Sequence, residues 1–190
     1  MSDSKFEELI KHYLSVERRA LDSVPIQDIS GLADCIDGIR LGKGTVFVVG
    51  NGGSAATASH FATDLGVGTL MRGKPVRAVS LCDNSAAITA IGNDLDFDSI
   101  FEQQLMLLSK PGDLLILLSA SGNSQNLLKA VMIAREIGVL CYSLTGFDGG
   151  KLKELTSGAN IHIQTPTGAY GVVEDIHLAI CHAITDCIRL

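Results

Sequence analysis

The chain has 190 residues, with 15 Lys plus Arg against 21 Asp plus Glu and a formal net charge of −6 at pH 7. That length suits one domain whose core folds without disulfides or a structural metal, and an acidic chain with no basic run argues against nucleic acid as a partner. Hydrophobic residues make up 46%, aromatic residues 5%, and 20 Gly stand against 4 Pro, which excludes disorder and fits an α/β protein with many tight strand-to-helix turns.

The N-terminal stretch MSDSKFEELIKHYL is amphipathic and mixed in charge, unlike a signal peptide. Residues 4–22 carry Phe6, Leu9, Ile10, Tyr13, Leu14, Val16 and Leu21 at helical spacing, and a second helix is predicted over 26–41, ending at Gly42. From Thr45 the pattern changes to short runs rich in β-branched and aliphatic residues, bounded by Gly or Ser, at 45–50, 76–81, 113–119, 139–145 and 159–165. Helical stretches lie between and after them, at 54–67, 85–91, 98–108, 124–137 and 172–188. This alternation predicts a three-layer α/β/α domain: a five-stranded parallel sheet of flavodoxin-like type with helices on both faces and right-handed crossovers. Its ligand site is expected at the carboxyl ends of the strands, near the topological switch point.

No apolar run reaches the roughly 18 residues of a membrane span. The expected location is therefore the cytoplasm, with no membrane partner. Cys35, Cys82, Cys141, Cys181 and Cys187 form no CxxC pair and sit among apolar neighbours, so they read as buried thiols in a reducing compartment.

Two turns after strands carry ligand-binding character. The first, Gly50-Asn51-Gly52-Gly53-Ser54-Ala55, leads directly into a helix, where backbone N–H groups and Ser54 favour an anion. It is neither a GxGxxG fingerprint nor a P-loop, because no Lys follows the glycines. The second, Ser119-Ala120-Ser121-Gly122-Asn123-Ser124, places three hydroxyls beside another helix N-terminus. Hydroxyls and helix-end amides together can hold a phosphate monoester without Lys or Arg. Ser is also an ordinary helix cap, so a structural origin for this turn stands beside the ligand reading.

Titratable groups cluster on two helices. His60 and Asp64 are four residues apart and share a face, a spacing that suits either two ligands of one metal or a plain solvated pair. On the last helix, His182 lies in the apolar stretch IHLAICHAI and needs a polar partner if buried. Glu174 stands eight positions earlier, about 12 Å of helical rise, so it reaches the same ion only by turning down from the helix start, or a neighbouring subunit completes the site. His12, His162, Asp175 and His177 have no supporting feature.

In order, GNGGSAATASHFATDL, AIGND at 90–94, SASGNS at 119–124, LTGFDGG at 144–150 and the acidic, His-containing last helix resemble the sugar isomerase (SIS) domain family, in its phosphoheptose isomerase branch. The likeness spans nearly the whole chain. It implies a single domain over 1–190, helices 4–42 serving as an oligomerisation extension, and a homotetramer with sites at subunit interfaces. It also implies one Zn²⁺ per subunit. Mapped on this sequence, the family's phosphate loop falls on Ser119, Ala120, Ser121 and Ser124, and its sugar-contacting turn on Asn51, Gly52, Gly53 and Ser54. Further substrate contacts fall on Asn93, Asp94 and Glu174. The metal positions are His60, Asp64, Glu174 and His182, and the catalytic ones Asp64, Glu174 and His182. Asp64 replaces a Glu and Glu174 a neutral Gln of the usual pattern, while Gly68 and Gly171 stand where relatives carry an Arg and an acidic residue.

The implied activity is aldose-ketose isomerisation of a sugar phosphate through an enediolate, interconverting sedoheptulose 7-phosphate and D-glycero-D-manno-heptose 7-phosphate or acting on a related phosphosugar. Such chemistry needs a base at C2, a second group that shuttles protons among O1, O2 and C1, and an electrophile. Asp64 or Glu174 is the candidate base and His182 the paired acid. His60 is a ligand of the ion that polarises the carbonyl. Two His with two carboxylates suit zinc, and also manganese, iron or nickel. Two other readings stand beside it. One is a catalytically silent relative resembling the replication-initiation regulator of this branch. The other is a sugar-phosphate sensor without turnover.

Overall fold

A computed structural model describes residues 4–190; Met1 to Asp3, part of the N-terminal stretch read above, lie outside the described residues. Ser4 caps the first helix, its hydroxyl accepting the Glu7 N–H at 3.2 Å. Helices α1 (Lys5–Asp22) and α2 (Ile26–Leu41) precede strand β1 (Thr45–Gly50). Helix α3 (Gly53–Thr63) runs on into a wider π turn over Asp64–Gly68. There follow β2 (Arg77–Ser80), α4 (Ser85–Asp94), a short 3₁₀ turn leading into α5 (Ile100–Leu108), β3 (Leu114–Ser119) and α6 (Gln125–Ile137). The chain closes with β4 (Leu140–Thr145), α7 (Gly150–Leu155), β5 (Asn160–His162) and α8 (Tyr170–Arg189).

All five strands are parallel, in the order β2-β1-β3-β4-β5. The chain leaves β1 for one edge and returns through β3 on the other side, so β1 and β3 flank the switch point. Their register pairs Val48 with Ile116 and Gly50 with Leu118, which brings the two turns that follow them side by side. Every residue of β3 is buried, as the central strand of a sheet covered on both faces requires.

Alternation along the strands divides the core in two. Val46, Val48, Leu114, Ile116 and Leu118 face α2, α3 and α8, meeting Leu32, Ile36, Phe61, Ile180 and Ile184. Phe47, Val49, Leu115 and Leu117 face the opposite layer, meeting Phe101, Leu105, Leu127 and Val131. Much of α1 stays uncovered: Phe6, Leu9, Ile10 and Leu14 are exposed.

The structure departs from the sequence expectations in three places. Strand β5 holds three residues, not seven, because a short edge strand pairs only with β4. Helix α7 lies where the sequence shows no helical period; its six residues, beginning at the second glycine of a pair, are too few to display one. The cysteines are not uniformly buried. Cys181 is, on the inner face of α8, but Cys35, Cys82 and Cys141 are half-buried and Cys187 is exposed on the outer face of the same helix.

Candidate active site

The turn after β1 is shaped by Gly52, whose φ of 56° and ψ of −124° suit a residue without a Cβ. It aims the start of α3 at the end of the sheet. Asn51 is held by a reciprocal amide pair with Asn126 of α6, each Nδ2 donating to the other's Oδ1 at 2.9 Å. The turn after β3 is organised by Ser119, whose Oγ accepts the Gly122 N–H at 3.0 Å. Gly122 has a φ of 65°, and a Cβ there would lie 1.9 Å from the Gly149 carbonyl oxygen, so no other residue fits.

Asn51, Ser54, Ser119, Ala120, Ser121 and Ser124 line one cavity, together with Tyr170 and Glu174 of α8. At the starts of α3 and α6 the third-residue amides, Ala55 and Leu127, donate to the cap carbonyls of Gly52 and Ser124, the amides before them have no acceptor one turn back in their own helices, and both helix dipoles present their positive ends here. The cavity is therefore an anion cradle of hydroxyls and helix-end amides, and the one charged side chain in its lining is Glu174. Glu174 enters it from α8: its carboxylate occupies the place where a Gly53 Cβ would stand, 2.2 to 2.5 Å from that position. Gly53 is what lets a carboxylate approach the start of α3.

A second cluster lies along the same pair of helices. Phe61 and Leu65 of the α3 segment pack with Ile180 and Ile184 of α8, which sets the two helices side by side and brings His182 across to His60 and Asp64. The imidazole Nε2 atoms are 3.4 Å apart, with the rings edge to face at 69°. Asp64 Oδ2 stands 3.4 Å from His60 Nε2 and 3.8 Å from His182 Nε2. Ligands of a tetrahedral ion, each at about 2.0–2.1 Å, stand about 3.3–3.4 Å from one another. Two of the three separations match that spacing and the third is 0.4 Å longer, so two nitrogens and one oxygen form a donor set able to hold such an ion.

The two clusters sort the sequence candidates. Of the four residues read as a metal set, His60, Asp64 and His182 come together, whereas Glu174 stands apart. Its side chain turns toward the N-terminus of α3, and about two turns of α8 separate it from His182. Asn93 and Asp94 are not in the cavity. They end α4 on the surface, with Asn93 Nδ2 donating to Asp94 Oδ1 at 2.9 Å.

Other residues were not foreseen. Asn126 sits two positions after Ser124, and an Asn at a helix start was its available signal. Tyr170 lines the cavity and stacks edge-on with Phe147, centroids 5.0 Å apart. Tyr13 of α1 donates its hydroxyl hydrogen to Asp175 Oδ2 at 2.5 Å. That bond to a carboxylate pushes the phenol pKa up to about 12 and ties α1 to the start of α8.

A parallel sheet in this order, with an anion cradle at its switch point and an imidazole-carboxylate cluster beside it, defines an α/β domain built around phosphorylated small molecules. The SIS domain family profile matches residues 12–146. The chain is 36% identical to the phosphoheptose isomerase of Laribacter hongkongensis over 92% of its own length and 89% of that protein. It is 38% identical to the phosphoheptose isomerase of Mycobacterium tuberculosis, over 95% and 91% respectively. The solved structure of the phosphoheptose isomerase GmhA from Neisseria gonorrhoeae superposes with a TM-score of 0.87 at 32% identity, covering 97% of this chain and 98% of that one. The chain belongs to the SIS domain family, in its phosphoheptose isomerase branch.

Proposed function

We propose that the chain is an aldose-ketose isomerase of a sugar phosphate, interconverting sedoheptulose 7-phosphate and D-glycero-D-manno-heptose 7-phosphate. The observation that carries this reading is the anion cradle and the His60–Asp64–His182 cluster placed along one pair of helices, α3 and α8. Glu174 and His182 are separated by about 12 Å of helical rise, a span of the order of an extended seven-carbon phosphate. The relatives at 36% and 38% identity, named as phosphoheptose isomerases, support the same substrate. Retention of two histidines and a carboxylate within contact favours turnover over a silent regulator or a sensor.

The phosphate is held by Ser119, Ser121 and Ser124 with the amides of the Ala120 turn, and Asn51, Gly52, Gly53 and Ser54 order the adjoining hydroxyls. Glu174 accepts hydrogen bonds from hydroxyls between the phosphate and the reacting carbons. Acting on the aldose, the Asp64–His182 pair takes the proton from C2 and delivers it to C1 and carries the O2 hydroxyl proton to O1, so that the carbonyl passes from C1 to C2, while His60 fixes the orientation of both. His60, Asp64 and His182 would hold a zinc ion, one per subunit, which when bound supplies a Lewis acid at the carbonyl oxygen.

We infer further that the domain spans 1–190, works in the cytoplasm and associates as a homotetramer through α1 and α2. The exposed apolar residues of α1 support that face as an interface, and among the described residues no helix is long and apolar enough to cross a membrane. The decisive experiment is isomerisation of heptulose, hexulose and pentulose phosphates, with and without chelator, with deuterium exchange at C2 recorded. Binding of every sugar phosphate with neither product nor exchange would overturn the reading.

A further inference from the structure

Asp64 meets different partners at its two oxygens. Oδ2 faces the imidazoles, and Oδ1 lies 3.9 Å from Nη2 of Arg189, the last helical residue of α8. The guanidinium is itself anchored: its Nη1 donates to Asp186 Oδ1 one turn back at 3.1 Å. It also depends on Gly68, at the end of the π turn that begins with Asp64. A Cβ at that position would lie 2.2 Å from Nη2 and 3.1 Å from Cζ, so any side chain there would push the guanidinium out. Asp64 and Arg189 are both partly sheltered, with side chains 23% and 31% exposed, so the charge is not fully screened by solvent.

We infer that Arg189 is a positioning residue for Asp64, and that Gly68 supplies the space for it. A short carboxylate that faces imidazoles through one oxygen alone is free to swing about its side-chain torsions. A cation set against the other oxygen holds it across the gap, with Oδ2 toward His60 and His182. This is the part played by the outer partners that orient metal-binding and proton-transfer groups. At 3.9 Å the pairing acts through charge rather than a hydrogen bond, and the Asp186 bond within the same helix keeps the guanidinium on that side of Asp64.

The inference rests on the proposed role of the His60–Asp64–His182 cluster, and its test separates the two. Zn²⁺ affinity, measured by competition with a chromophoric chelator without any turnover, and kcat and KM would be recorded for the full chain and for R189Q, R189K, G68A, D64N and their combinations. Loss of an orienting partner weakens metal affinity or activity about tenfold to a hundredfold. The expected result is that R189Q lowers Zn²⁺ affinity and kcat about tenfold with KM little changed, R189K recovers part, and G68A reproduces R189Q. The G68A/R189Q pair should be no worse than either alone, and R189Q should have no effect in the D64N background. Wild-type affinity and kcat in R189Q, or losses that add between G68A and R189Q, would overturn the inference. If D64N alone left affinity and kcat unchanged, the reading of the cluster would fail instead.

Discussion

Replacing Gly53 by Ala isolates the contact between the start of α3 and Glu174. The backbone of Gly53 is not in the left-handed region, so Ala adopts it without strain, and Ala is the better helix former by up to about 1 kcal/mol. Stability should therefore hold or rise. The new Cβ, however, would fall 2.2 Å from Glu174 Oε2, 2.4 Å from Cδ and 2.5 Å from Oε1. Ordinary contact for such atoms is on the order of 3.2 Å or more, so the carboxylate must withdraw by about 1 Å. A misplacement of that size costs roughly a hundredfold in rate, or about 2.7 kcal/mol in the barrier. Steady-state isomerisation of sedoheptulose 7-phosphate and a thermal melt would be measured for G53A, E174A and the double variant. We expect kcat/KM to fall by about two orders of magnitude in G53A with Tm unchanged or raised, and no further loss on adding G53A to E174A. Wild-type kcat/KM in G53A, or an equal loss when Glu174 is already absent, would refute the steric argument.

Three further outcomes are expected. H182A and D64N should each lower kcat about a hundredfold to ten-thousandfold, as removal of a proton-transfer group does, while phosphate competition still shows an intact cradle; wild-type kcat in both would remove them from the reaction. S121A and S124A should each raise KM by one to two orders of magnitude, since a lost hydrogen bond to a charged group is worth about 1.5–3 kcal/mol, and inorganic phosphate should inhibit each variant less than the parent. His177 is fully buried against the Thr145 backbone, and among the described residues neither ring nitrogen has a hydrogen bond of good geometry; burial lowers its pKa from 6.5 to about 4, Thr145 opposing this only partly. Between those values the unfolded chain binds the proton that the folded chain refuses, so stability is full above pH 6.5 and falls as pH drops toward 4, by up to about 3 kcal/mol. Urea unfolding from pH 7 to pH 4.5 should show this slope in the parent chain and a shallower one in H177L; parallel slopes would exclude His177 as its source.

The repeating strand-to-helix punctuation makes much of the architecture readable in the sequence. The runs at 45–50 and 113–119 coincide with β1 and β3 to within a residue because a buried parallel strand is a short, uninterrupted apolar run. The two Gly- and Ser-rich turns were equally legible, since positive φ and helix capping each demand particular residues. Edge strand β5 and helix α7 were not, because neither is long enough to show a period.

Site membership divides in the same way. His60 and Asp64 declare themselves by spacing, since four residues along a helix put two side chains on one face. Nothing local joins them to His182, 122 residues away, or to Arg189; those contacts exist only because Phe61, Leu65, Ile180 and Ile184 pack α3 against α8. Glu174 turned toward Gly53 rather than His182 for a related reason: the open position at a glycine is visible only from the helix that faces it. What the chain of residues determined by itself is local and periodic: which segments are strands, which turns can accept an anion, and which side chains share a helical face. Only the tertiary structure decided which faces meet, because that choice depends on how two apolar layers close over one sheet and not on any residue's own neighbours along the chain.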